Sequence, residues 1–206
     1  MRSTTGRILA AGIIGLLAIG SVAACGGEMP SPSPTGASSS PGASEPVASP
    51  TPVGSIAATV VEPGLLDILP VEVDGRDRRD DAETAAEIAA DGSLQESVEA
   101  VALALFADTE SYVVTTVSRL RPGVYDDAFF RDWRDTFDAA VCEQAGGVDV
   151  GHGEVEIDDR QVFRSACVGG VVIYHVHLDD PDTLLSLQGA GPVDLGALVL
   201  ADLRTD

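Results

Sequence analysis

Downstream of residue 56 the apolar positions fall into two periods, and each predicts its own elements. Helical spacing comes first. Ala82 to Ala90 is alanine-rich and predicts a short helix. Leu94, Val98, Val101, Leu105 and Phe106 then recur at helical spacing behind Ser93-Leu94-Gln95-Glu96, a Ser-x-x-Glu capping box, and predict a helix to about Ala107. A further helix starts after Asp126, a good N-cap, with Tyr125 placed to staple onto Phe130. Its buried stripe is Phe130, Trp133, Phe137 and Val141. Asp127–Arg131, Arg131–Asp135 and Arg134–Asp138 form i,i+4 pairs on the other side, and Gly146-Gly147 ends it. A closing helix is expected over Val193–Leu203, with Asp194 near its start.

The second period is that of strands. Tyr112–Leu120 is rich in β-branched residues and stops at Arg121-Pro122-Gly123. Val148–Ile157, Gln161–Val168, Val171–Leu178 and Thr183–Gln188 follow as a meander, separated by Asp158-Asp159, Gly169-Gly170 and Asp179-Asp180-Pro181. Leu65–Val73 is apolar but contains Pro70, so an irregular or edge segment is expected there. Asp74–Asp81 lacks the spacing of a calcium loop and reads as a solvated turn. Helices followed by consecutive hairpins predict an α+β fold: an antiparallel sheet of about four to five strands, with helices packed on one face.

Composition divides the chain ahead of this domain. Residues 26–55 are rich in Ser, Pro, Gly, Ala and Thr, cannot bury apolar area, and are expected to form a disordered tether. Such a chain reaches about 30 Å, more where proline stiffens it. Before it stand Arg2 and Arg7, an apolar stretch from Ile8 to Gly20, and Val22-Ala23-Ala24-Cys25. That stretch is too short to span a bilayer, which takes about 20 helical residues. The last four residues resemble the lipobox of bacterial lipoproteins. The resemblance implies removal of residues 1–24 as a signal peptide and lipidation of Cys25 by a diacylglyceryl (palmitate-type) anchor, with a further acyl chain possible on its amine. Two or more chains give durable attachment. The organisation expected is therefore signal 1–24, lipidated Cys25 and tether 25–55, and one extracytoplasmic domain 56–206.

Charge narrows the partners. The sequence holds 33 acidic and 12 basic residues, and every basic residue is an arginine. Loss of Arg2 and Arg7 with the signal leaves 10 minus 33, or −23. Nucleic acid needs clustered positive charge and is excluded as a partner. The partners left are the membrane, through Cys25, and an envelope protein or small ligand.

Two cysteines remain, Cys142 and Cys167, and an even pair in an exported chain reads as a disulfide. Closing the loop between them contributes about 3 kcal/mol. Cys142 lies about 120–140° around its helix from Phe130 and Phe137, at the margin of the expected buried face. The alternative is two buried free thiols.

The histidines are His152, His175 and His177. Ile173, His175 and His177 share one face of their strand, while Val172, Tyr174, Val176 and Leu178 share the other, the expected core side. The histidines are thus expected on an open face, with Glu154 or Arg164 brought up by neighbouring strands. His-x-His with His152 or Glu154 would offer zinc or copper three ligands, against the alternative of exposed sheet residues paired with carboxylates. Catalytic signatures are missing: no Gly-x-Ser-x-Gly elbow, His-Glu-x-x-His, phosphate loop or Ser-x-x-Lys.

Over the domain, Arg119-Leu120-Arg121-Pro122-Gly123-Val124, the aromatic helix, Cys142, the histidine-bearing strand and Cys167 are together similar to small actinobacterial lipoproteins without an established activity. The expectation is a lipid-anchored envelope protein on the extracytoplasmic face of the cell membrane, a non-catalytic binding or accessory domain without a cofactor. The alternative is an extracytoplasmic zinc- or copper-binding protein that uses His152, His175 and His177.

Overall fold

Ten strands and three α-helices follow one another in the computed structural model, which describes residues 57–179 and 182–204 apart from the Asp149 side chain. The expected signal, Cys25, the whole of the expected tether and residues Asp180 and Pro181 lie outside those residues. In chain order the elements are β1 (Val60–Val61), a 3₁₀ helix (Pro63–Ile68), β2 (Glu72–Val73), β3 (Arg76–Asp77), β4 (Arg79–Asp80), α1 (Ala82–Ala89), a 3₁₀ turn (Gly92–Leu94), β5 (Val98–Ala107), β6 (Tyr112–Leu120), α2 (Asp127–Gln144), β7 (Asp149–Ile157), β8 (Arg160–Cys167), β9 (Val172–Leu178), β10 (Thr183–Ala190) and α3 (Leu195–Ala201).

An eight-stranded sheet runs β1-β5-β6-β10-β9-β8-β7, with β4 also paired to β5, and β2–β3 forms a separate hairpin. The sheet is mixed, since β1 pairs with β5 in parallel. The meander forms as expected, and its last strand returns to pair with β6. Asp158 and Asp159 make the β7–β8 turn with φ of 49° and 61°, the left-handed backbone that a two-residue hairpin requires.

The strand count exceeds expectation because the short strands β1 and β4 join the sheet and because residues 98–107 form a strand rather than a helix. Val98, Ala100, Val101, Ala102, Ala104 and Phe106 are all buried, since β5 is covered on both faces. A strand buried twice reads as a continuous apolar run, which satisfies helical spacing by coincidence. The capping box does not open a helix either. Asp91 instead caps the 3₁₀ turn, accepting from the Ser93 amide at 2.9 Å. The β5–β6 loop is set by Asp108, which accepts the amides of Glu110 and Ser111 at 2.7 and 2.8 Å.

The helices pack on both faces of the sheet, not one. The 3₁₀ helix and α3 cover the face carrying Ala102, Phe106, Val117, Leu185 and Val176, the larger core. The opposite face carries Val101, Leu103, Leu184 and Ile173 beneath α1 and α2. Burying both faces of a sheet requires polar side chains there to be satisfied within the protein. His175 meets that condition.

Helix α2 begins and ends as its sequence dictates. Asp126 accepts the Phe129 amide at 2.7 Å, and the Tyr125 and Phe130 rings lie 5.9 Å apart as a hydrophobic staple. At the far end Gly146 takes φ 77°, with Gly147 N–H donating to Cys142 and Gly146 N–H to Glu143, a Schellman motif. Its orientation differs from expectation. Phe130, Trp133, Phe137 and Val141 are half-buried, and the fully buried positions are Asp138 and Cys142, one helical turn apart. Asp138 is accordingly not an outward partner for Arg134.

Candidate functional site

The turn of α2 that carries Trp133, Phe137 and Asp138 lies over β9 and β10, where His175 stands directly opposite Ser186 in the ladder. His175 is fully buried, which overturns its expected place on an open face. Its Nε2 lies 2.9 Å from Asp138 Oδ1, its Nδ1 lies 2.9 Å from Ser186 Oγ, and the Phe137 ring packs edge-on at 5.2 Å. The Trp133 indole N–H donates to Ser186 Oγ at 3.1 Å.

The proton positions follow from donor capacity. The Asp138 carboxylate only accepts, so the neutral ring holds its hydrogen on the Nε2 side and Nδ1 accepts the Ser186 hydroxyl, whose oxygen takes the indole N–H. The imidazole then carries its proton on Nε2 and donates it to Asp138. Burial pushes the His175 pKa below its usual value; the hydrogen bond and charge of Asp138 pull it upward, and Arg134 adds a further downward push. The ring is neutral.

Asp, His and Ser together also serve nucleophilic catalysis, but only where the serine oxygen is exposed and free to attack. Ser186 is 1% exposed and its oxygen holds the indole. This chain of four side chains instead fastens α2 to the sheet.

His177, two residues on, sits at the margin of the same face. Its ring stacks on Tyr125 with centroids 3.4 Å apart and planes within 7°. Its Nε2 lies 2.6 Å from Asp182, and its Nδ1 lies 3.5 Å from Asp179. His152 lies across the sheet on β7, stacked on Phe163 at 5.6 Å. Arg134 also lies over the Phe163 ring, 3.5 Å from its centroid, and 4.8 Å from that of Phe130. The three histidines therefore stand in three separate environments. Among the described residues no group of three His, Cys, Asp or Glu side chains is placed to hold a metal.

The expected helpers separate as well. Glu154 shares the histidine face through the β7–β8–β9 register, but its carboxylate accepts from Gln161 at 2.9 Å. Arg164 faces the opposite side, where its Nε donates to Tyr174 Oη at 3.3 Å. Tyr174 in turn donates to Asp194 at 2.6 Å, while Asp194 also caps α3 through the Ala197 amide. Burial, reinforced by the Asp194 hydrogen bond, pushes the Tyr174 phenol up to about 12.

Cys142 and Cys167 are joined in a disulfide with Cα atoms 5.1 Å apart, both residues buried. The bond ties the last turn of α2 to the end of β8. Cys142 reaches it because α2 is turned toward the Asp138–Cys142 side.

The buried chain was not anticipated, and one signal for it existed. Val171 and Ile173 precede His175 on its own face, so that face was apolar enough to be covered. Compared with known proteins, the chain matches no family model, no curated sequence and no solved structure.

Proposed function

We propose that this protein is a cell-envelope lipoprotein, anchored to the membrane through Cys25 and carrying a non-catalytic binding or accessory domain on the extracytoplasmic side. The observation that carries the reading is the buried Cys142–Cys167 disulfide. Such bonds persist in oxidising compartments outside the cytosol, where the Val22-Ala23-Ala24-Cys25 motif would deliver the chain. No helix among the described residues is long and apolar enough to cross a membrane, so attachment under this reading falls to the acyl chains. The sealing of Ser186 and His175 keeps that serine from attacking a substrate, which supports the non-catalytic reading.

Fractionation of cells expressing the full chain tests this. The protein should sediment with membranes, resist high salt, and enter the detergent phase. Cys25→Ala should release it or leave it as an unprocessed precursor. A Cys25→Ala chain that is cut to the same mature length and still sediments equally with membranes would overturn the anchor.

A further inference from the structure

The sheet order ends at β7, and among the described residues no strand pairs with its outer edge. The tight turn at Asp158-Asp159 makes Ile157 and Arg160 a hydrogen-bonded pair, and that phase alternates along the β7–β8 ladder. Val155 therefore bonds inward to Val162. The N–H and C=O groups of Glu154 and Glu156 point outward, away from β8.

Side chains give this edge two different faces. Glu154 and Glu156 are exposed on the side shared with His175. Val155 and Ile157 are half-buried on the other side, packed against the larger core, and Leu198 of α3 is 38% exposed on that side of the sheet. An added strand would set its alternate side chains opposite two carboxylates and over an apolar ledge. We propose that β7 is a docking edge for an extended segment of a partner protein in which basic and apolar side chains alternate.

Charge separates this occupant from the others available. Antiparallel self-pairing centred on residues 154–156 sets carboxylate opposite carboxylate, which destabilises a pair of strands. The chain's own N-terminal region has no basic residue between Arg7 and Arg76. A Lys- or Arg-bearing strand meets both glutamates with opposite charge while its backbone extends the ladder, the mode of β-strand addition. The inference deepens the binding reading above and rests on it for the existence of a partner. Its test reads peptide binding and not acylation, so the two fail separately.

The experiment uses the full chain in detergent and a capped peptide of about six residues alternating lysine and valine. A block-ordered peptide of the same composition and a glutamate–valine peptide are the controls. Amide hydrogen exchange is followed residue by residue. The alternating lysine peptide should bind saturably and slow exchange at Glu154 and Glu156 by at least about tenfold, with little change at Val155, which is already paired. Glu154→Lys/Glu156→Lys should transfer the preference to the glutamate–valine peptide. Glu156→Pro, which removes an outward N–H and one carboxylate but no bond to β8, should abolish binding of the lysine peptide; if it fails to fold, the charge reversal decides. Outer amides already protected without peptide would mean that another segment or a second copy holds the edge, and would overturn the proposal. So would equal binding of the block-ordered peptide, or a preference unchanged by the charge reversal.

Discussion

Replacing His175 by phenylalanine keeps a ring of similar size and removes both hydrogen-bonding nitrogens. The Asp138 side chain, 8% exposed, then holds a carboxylate beneath α2 with no donor from the sheet. Breaking a buried charged pair by removing one partner costs about 3–5 kcal/mol; the neutrality of His175 places this case near 3 kcal/mol. Asp138→Asn keeps an oxygen facing Nε2–H and removes the charge, so its cost should be about 1 kcal/mol. With the singles His175→Phe and Asp138→Leu, the double variant His175→Phe/Asp138→Leu completes a cycle that should show a coupling of about 1–3 kcal/mol. The assay is urea unfolding of the full chain carrying Cys25→Ala, disulfide intact, near neutral pH, with free energies from linear extrapolation at unchanged slope. A His175→Phe cost below about 1 kcal/mol, or no coupling in the cycle, would refute the reasoning: Asp138 would then be reached by water and the four-residue chain would not fasten α2.

The same network makes stability depend on pH. Because burial holds the folded-state pKa of His175 below its ordinary 6.5, the unfolded chain binds more protons as pH falls through that value. The stability contributed by neutral His175 is present above pH 6.5 and declines below it by up to about 1.4 kcal/mol per pH unit until the folded-state pKa is reached; urea titrations of wild type and His175→Phe should differ in slope there. Cys142→Ala/Cys167→Ala should cost about 3 kcal/mol in the same assay, matched by reduction of the wild type. Gly196→Ala should cost about 1–3 kcal/mol by thermal unfolding, because the new Cβ would come within 2.8 Å of the Tyr174 ring, which Asp194 and Arg164 hold in place. In an ultraviolet titration Tyr174 should ionise near pH 12, and Tyr174→Phe should remove that step.

What was legible in the sequence depended on how locally it was encoded. Helix α2 carries its own cap, staple and glycine stop within some twenty residues, and each formed where expected. The meander was legible because Asp158-Asp159 and Gly169-Gly170 supply the left-handed backbone that tight turns need, at Asp158, Asp159 and Gly170. Strand β5 was not, since an element buried on two faces loses the alternation that marks a strand. The site was hidden for a related reason. Asp138 spaced four residues from Arg134 looks like half of a surface pair, and only the sheet beneath α2 turns it inward. Ser186 and His175 are eleven residues apart and meet through register, which the sequence implies only once the β9–β10 hairpin is aligned.

Mass spectrometry of the mature protein purified from membranes tests the central claim most directly. The account predicts an N-terminal peptide that begins at Cys25, carries a diacylglyceryl group, and has lost residues 1–24. An unmodified Cys25, or a mature chain that begins elsewhere, would contradict the membrane anchor on which the proposed function stands.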